Sequence, residues 1–452
     1  MLAAPSGLAR AAEARAISTF QRAAREVPAY RSLLEASYVD PESVVTIGDF
    51  HRLVPLMSKQ KLFEPHRVPA LCTNGQMGEA SLVFMSSGYS RSFSFGLETR
   101  KQAEELSKRL DLLFDFYFRV ATLRTLLVNA LPGSVRVPSR YAVVAELGPR
   151  PDAALRAISG LASDFEQIVI LAEPLLVKTI VERARDTKLQ LERHRVHVIT
   201  GGEFVTEGFR SYIRELLAHD DDRPDRGQVI TSFGVSELGL SLAHDTAELR
   251  RIGRAIDRDP ELCARIVGRV PYAPTLLQYL PDQHYLETPR IDERTTLVAT
   301  TLDPSRPIPL VRYRTGDWAQ VISHAELADR LERSGQSSLV PRSRLPVLAL
   351  FGRGGALELG GAQVHVERVK AALYDDSSVC AGLSGRFRLE HEGDEAVVLV
   401  ERRAGVELTP ALEQRFSELV RARAGRDVTV RWAEPGSARF SGGFEQKTRY
   451  LS

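Results

Sequence analysis

The stretch Ser232-Phe-Gly-Val-Ser-Glu-Leu-Gly239 gathers an aromatic ring, a glycine, a hydroxyl and a carboxylate within eight residues. Phe233 offers a face for stacking on a flat base, and Gly234 a backbone that a ligand can approach closely. Ser236 supplies a donor for a phosphate oxygen, and Glu237 an oxygen ligand for a hard cation such as Mg²⁺. Together these are the groups that binding ATP requires. Loops with serine and glutamate are common, so the stretch gains weight only from companions elsewhere in the chain.

Four other segments carry groups of the same kind. Met85-Ser-Ser-Gly-Tyr-Ser-Arg-Ser-Phe-Ser-Phe-Gly96 follows the apolar run Ser81-Leu-Val-Phe84. Its hydroxyls and backbone N–H groups can wrap an anion, although serine and glycine favour plain turns equally, and no G-x-x-x-x-G-K-[ST] pattern exists. Thr200-Gly-Gly-Glu203 closes another strand-like run. Its glycines permit close approach of a flat ligand or simply a tight left-handed turn. Arg312-Tyr-Arg-Thr-Gly-Asp317 ends in a carboxylate with two acceptor oxygens, enough for two ribose hydroxyls or for a turn cap. Gly442-Gly-Phe-Glu-Gln-Lys447 sets one lysine behind a glycine pair. A lysine is a compact cation suited to charge developing at a carboxyl–phosphate centre, and most terminal lysines are merely solvated. Other chemistries find less support. His194 and His197 lie beside a strand, where i and i+3 face opposite sides. His244-Asp245 has no zinc-type companions, and no G-x-S-x-G elbow is present.

The elements that must position these groups alternate. Helical spacing is expected over 8–36, 98–120, 173–188 and 206–219. Strand-like runs are Leu126–Val128, Ala142–Val144, Gln167–Ile170, Val196–Ile199 and Gln228–Thr231, so Ser232–Gly239 is expected to be the loop leaving a strand. Such alternation predicts an α/β fold: a large N-terminal domain with mostly parallel sheets flanked by helices, ligands sitting beyond the carboxyl ends of the strands. From 272 to 321 a small β subdomain is expected, with strands at Thr296–Thr301 and Ile308–Val311. The core is taken as 1–352, a glycine-dense hinge as 353–361 and a mobile α+β cap as 362–452. In the cap, helices are expected at Val366–Tyr374 and Pro410–Ala424, and strands at Arg386–Glu390, Ala396–Glu401 and Val428–Trp432.

Composition narrows the classes. With 452 residues the chain exceeds one compact core. Sixty basic and fifty-eight acidic side chains leave a net charge of +2, which gives no pull toward nucleic acid or acidic membranes. No apolar run approaches the roughly 20 residues of a membrane span. The Ala/Arg-rich start reads as a first helix rather than a transit peptide. Cys72, Cys263 and Cys380, widely separated, fit reduced core residues of a cytoplasmic protein.

Taken in order, these segments resemble the adenylate-forming acyl-CoA ligase superfamily, and within it the phenylacetate–CoA ligase branch. The resemblance runs from Arg25-Glu-Val-Pro-Ala-Tyr-Arg31 and Val54-Pro-Leu-Met-Ser-Lys59 through Ser86-Ser-Gly88, Gly201-Gly-Glu203, Phe233–Glu237, Pro309–Asp317 and Gly352-Arg353 to Lys447, essentially the whole chain. It implies that Ser86, Ser87, Gly88 and Ser90 hold ATP phosphates, that Gly202 and Glu203 back the adenine, and that Phe233 and Gly234 face it. It further implies that Ser236 contacts the adenylate phosphate, Glu237 holds Mg²⁺, Asp317 and Arg353 clamp the ribose, and Lys447 serves adenylation. The implied reaction activates a small, aromatic carboxylic acid as its acyl-adenylate, releases pyrophosphate and passes the acyl group to the thiol of coenzyme A. Members are often homodimers.

This chain departs from the family pattern in places. Tyr89, Ser90 and Arg91 stand where the phosphate loop normally reads Thr-Thr-Gly, and Gly354-Gly-Ala356 lacks the acidic residue usual at the hinge. These departures leave open another acceptor, such as an amine or a carrier-protein thiol, or a nucleotide-binding relative without catalysis. Pocket walls are expected from Leu126–Pro132 and from the residues after Glu237.

Overall fold

The computed structural model describes residues 5–85, 94–132, 135–220, 226–359, 361–393, 395–440, 443–444 and 449–451. The helical stretch expected over 8–36 is two helices, Pro5–Glu26 and Pro28–Ala36. Pro28 is the cause: it has no N–H, and it holds Val27 in an extended conformation (φ −106°, ψ 112°), so the helix restarts at the proline.

A two-stranded antiparallel sheet, β1 (Ala80–Met85) and β2 (Phe95–Thr99), precedes the long helix Arg100–Phe118. That helix starts on a capping box, in which Thr99 and Gln102 bond each other's backbone N–H. The central sheet contains β3 (Thr125–Asn129), β4 (Val143–Glu146), β5 (Gln167–Ala172), β6 (Val196–Thr200), β7 (Val229–Val235), β8 (Gly239–His244) and β9 (Thr275–Gln278). It continues with β10 (His284–Glu287), β11 (Arg290–Ile291), β12 (Arg294–Thr301), β13 (Tyr313–Ile322) and β14 (Val347–Gly352). The order is β10-β12-β13-β14-β9-β8-β7-β6-β5-β3-β4, with β11 paired to β12. From β4 to β7 the strands are parallel. From β7 onward every pairing is antiparallel. The strands expected as a β subdomain therefore join the parallel strands in one sheet of twelve.

The parallel strands read as unbroken apolar runs because both faces are covered. Leu126, Val128, Ile168 and Ile170 pack toward the helices Pro151–Leu161, Pro174–Asp186 and Glu207–Leu216. Leu127, Val169 and Leu171 pack toward Arg100–Phe118. Within the segment Leu126–Pro132, expected to wall a pocket, Leu126, Leu127 and Val128 are wholly buried in the core, whereas Leu131 and Pro132 are partly exposed. The antiparallel half buries a third cluster against the N-terminal helices through Phe20, Tyr30, Phe50, Met57, Leu297 and Tyr313.

Ile308–Val311 is not a strand. Pro307 and Pro309 remove backbone donors, and the segment is instead pinned by side chains. Leu310 N–H donates to Thr301 Oγ1 (3.0 Å) and Val311 N–H to the Tyr30 hydroxyl (2.8 Å). Helices absent from the sequence expectation include Ile47–Leu53, Pro151–Leu161, Ala247–Arg258, Pro260–Val267 and His324–Arg333. The last fills the interval between β13 and β14, and its Ser323/Glu326 capping box is visible in the sequence.

The C-terminal residues have their own small core around Phe387, Leu389, Val398, Val400, Phe416 and Val420. The glycine-dense stretch carries β15 (Ala356–Leu359), which forms a hairpin with β16 (Ala362–His365). The helix Val366–Tyr374 follows, then β17 (Leu383–Glu392) antiparallel to β18 (Glu395–Arg402), the helix Pro410–Ala424, and β19 (Thr429–Ala433) parallel to β18. The architecture is thus a large α/β body with a small α+β unit after it.

Candidate functional site

The first eight-residue segment is not a loop after Thr231. β7 runs on through Ser232–Val235, pairs with β8, and turns over Ser236, Glu237 and Leu238 alone. The turn is fixed from behind. Arg306, partly buried, donates to the carbonyls of Leu238 (2.7 Å) and Glu237 (3.1 Å). His284 Nε2 lies 3.0 Å from the Leu238 carbonyl, and burial pushes its pKa down to about 3, so the ring is neutral and donates that N–H. Two glycines let other backbones close in: a Cβ on Gly96 would stand 2.7 Å from the Ser236 carbonyl oxygen, and one on Gly201 only 2.0 Å from that of Ser232.

This scaffold buries the Glu237 carboxylate and surrounds it with donors from three distant parts of the chain. Tyr313 on β13 donates its hydroxyl to Oε1 (3.0 Å), and Ser94, just before β2, donates to the same oxygen. The Lys59 ammonium lies 3.5 Å from it. Lys59 arrives on a segment stitched to β13, where Met57 N–H donates to the Arg312 carbonyl (3.0 Å) and Arg314 N–H to the Met57 carbonyl (2.8 Å). Arg312 anchors that strand's start. It is buried, carries φ +43°, pairs with Glu287 (2.9 Å), and donates to the carbonyls of His51 and Val54. Burial, and then the Glu237 charge, raise the Tyr313 phenol far above its ordinary range, so it stays a donor; the Arg353 guanidinium acts in the opposite sense.

Asp317 and Arg353 are brought together as expected, Nε to Oδ1 3.7 Å apart. Asp317 sits inside β13 after Gly316 (φ +86°), not at a turn closing a subdomain; its carboxyl is nearly buried whereas Arg353 is half exposed. Gly202 takes φ +85°. Glu203 holds the C-terminal unit: its Oε2 accepts from Lys370 Nζ (2.9 Å) and from the Tyr450 hydroxyl (2.6 Å). Phe233 is half-buried against the N-terminal core cluster, and Gly234 is exposed. Ser86, Ser87, Gly88 and Ser90 lie outside the described residues, as does Lys447. β1 and β2 bring the two ends of the 86–93 segment beside the Ser236–Leu238 turn.

Sequence reasoning missed Ser94, Tyr313 and the contact of Lys59. All three fell inside segments already singled out, but nothing local to them says that they meet Glu237. The Glu237 carboxylate and the hydroxyl oxygens of Ser94 and Tyr313 are ligands of the kind a hard cation takes, with phosphate and water supplying the rest, whereas the Lys59 ammonium has no lone pair to offer. No cluster of three or more His, Cys, Asp or Glu suited to a metal occurs among the described residues.

No family model matches the chain, and no curated protein matches it. Solved structures do. 2-Hydroxyisobutyryl-CoA ligase in its postadenylation state, in complex with 2-HIB-AMP, superposes with a TM-score of 0.70 at 18% identity, covering 98% of this chain and 89% of that one. The same ligase with 2-HIB-AMP and CoA in its thioesterification state gives 0.56 at 18% identity, over 99% and 90%. Anthranilate CoA ligase with anthranoyl-AMP gives 0.51 at 11% identity, over 81% and 65%. The fold is that of these acid–CoA ligases.

Proposed function

We propose that this protein activates a small carboxylic acid with ATP, forming an acyl-adenylate and releasing pyrophosphate, and then hands the acyl group to a nucleophile. One observation carries the reading. At the carboxyl end of the parallel strands, a buried Glu237 ringed by Ser94, Tyr313 and Lys59 lies on the same strand system as the Asp317–Arg353 pair, beside the ends of the Ser/Gly segment. A carboxylate is a poor acyl donor because oxide is its leaving group. Attack on the α-phosphorus of ATP replaces oxide by AMP, provided two anions are held together and neutralised.

In this reading Glu237 takes Mg²⁺ with the nucleotide phosphates, and Ser236 and the 86–90 segment hold phosphate oxygens. Asp317 accepts the ribose hydroxyls with Arg353 beside it. Gly202, Phe233 and Gly234 face the base, and Glu203 stations the C-terminal unit next to it. Lys447, three residues before the Tyr450 that bonds Glu203, supplies the cation for adenylation. Coenzyme A is the acceptor of first choice and an aryl acid the substrate class, in keeping with the phenylacetate–CoA ligase resemblance.

A second acceptor class, an amine or a carrier-protein thiol, is favoured by how firmly the C-terminal unit is seated. Lys178 is wholly buried between Glu182 (2.6 Å) and the Leu383 carbonyl (2.7 Å), and the partly buried Tyr374 ring packs on Phe209 (5.3 Å). Rotation of that unit would break these contacts. The test is pyrophosphate release with a panel of small acids, with and without CoA. Acid-stimulated release is expected. A CoA thioester among the products excludes the second class; a folded protein that no acid stimulates refutes adenylation.

A further inference from the structure

Three donors converge on one oxygen of Glu237: the hydroxyls of Ser94 and Tyr313 and the ammonium of Lys59. They differ in what they can do when a cation arrives. A hydroxyl can turn its proton away and present a lone pair, so Ser94 and Tyr313 are compatible with a metal ion at the carboxylate. An ammonium has no lone pair and carries a full positive charge, which repels a divalent ion at close range. The backbone that carries Lys59 is fastened beside the carboxylate. Met57 is bonded to β13 on both sides, and Ser58 caps the short helix Lys59–Leu62, with Lys61 N–H donating to Ser58 Oγ (3.2 Å). The Lys59 side chain is four-fifths buried and Glu237 more so, which leaves little water to screen the repulsion.

We infer that Lys59 is a built-in competitor of the divalent cation at Glu237. It balances the carboxylate while no nucleotide is present, and the carboxylate accepts a divalent ion only when nucleotide phosphates bring enough negative charge to outweigh the ammonium. The consequence is a site that does not fill with metal ahead of its substrate. This rests on Glu237 being the cation ligand of the proposed reaction, but it can be tested without any acid or nucleotide.

The experiment titrates nucleotide-free, full-length protein with Mn²⁺ and reads free ion by electron paramagnetic resonance. Wild type is expected to bind weakly. Lys59→Met and Lys59→Gln should bind at least tenfold more tightly, Lys59→Arg should stay like wild type, and the Lys59→Met/Glu237→Gln double variant should lose the gain. Circular dichroism and melting curves select folded variants, and the two neutral substitutions back each other up. Unchanged Mn²⁺ affinity in both neutral variants overturns the competition, as does a gain that survives Glu237→Gln. The two readings fail separately. Tighter Mn²⁺ binding in a protein that no acid stimulates removes the reaction and leaves the competition; acid-stimulated pyrophosphate release with unchanged Mn²⁺ binding does the reverse.

Discussion

At the scale of single residues, Glu237 was legible in the sequence and its surroundings were not. A buried acid in a turn after a strand announces itself, but Ser94 lies 143 residues away and Tyr313 76, so only the order of strands in the sheet brings them together. The same holds for His284, whose ring supports the turn from β10. Its pKa is pushed down to about 3 by burial first and by Arg306 second, below the ordinary value near 6.5. The unfolded chain therefore takes up a proton in the window between about 6.5 and 3 that the native state refuses. The stabilising effect of the neutral ring is full above pH 6.5 and lost as pH falls through the window. His284→Gln keeps a donor for the Leu238 carbonyl without a titrating group. At pH 7.5 it should cost roughly 1 kcal/mol, and the difference in melting temperature from wild type should shrink as the pH is lowered to 5. A gap that stays constant or widens on acidification would contradict this role.

At the scale of elements, long periodic segments declared themselves: the helices starting at Arg100, Pro174 and Glu207 and the strands β3, β5 and β6 lie close to where apolar spacing puts them. What failed to show were elements made by their neighbours. Ser232–Val235 reads as loop because it is polar and contains glycine, yet β8 pairs with it and prolongs β7. Ile308–Val311 reads as strand, yet its prolines leave it held by hydroxyls. Thr200-Gly-Gly-Glu203 allowed either a ligand approach or a tight turn. The structure gives Gly202 the left-handed φ and Gly201 a different task, passing the β7 backbone. In Gly201→Ala the new Cβ would meet the Ser232 carbonyl at 2.0 Å, backbone against backbone, with no flexible side chain to yield. The expected outcome is a melting temperature lower by several degrees, corresponding to about 2 kcal/mol or more. Acid-dependent pyrophosphate release should fall with it, because the Ser236–Glu237 turn hangs from β7. An alanine variant with unchanged melting and turnover would show that the β6–β7 approach is looser than described.

At the scale of the whole molecule, alternation of strands and helices foretold the α/β body and the separate C-terminal unit, but not how the two meet. Their seam is built from residues that look unremarkable in sequence: Lys178, Glu182, Tyr212, Tyr374 and Arg403. Glu182 Oε1 accepts from both Lys178 (2.6 Å) and the Tyr212 hydroxyl (2.5 Å), while Arg403 pairs with its other oxygen (3.4 Å). A second tie runs from Glu203 to Lys370 and Tyr450. The first half-reaction proposed for this molecule is adenylation. The most direct test of that half-reaction is to incubate the protein with ATP, Mg²⁺ and a pool of small acids, without CoA, and to examine the bound products by mass spectrometry. An acyl-AMP, with mass equal to AMP plus one acid less water, is expected on the wild-type protein, and at least about 100-fold less of it on Glu237→Gln. Protein that binds ATP and the acid but yields no acyl-AMP, or an equal yield from both proteins, would contradict adenylation at Glu237.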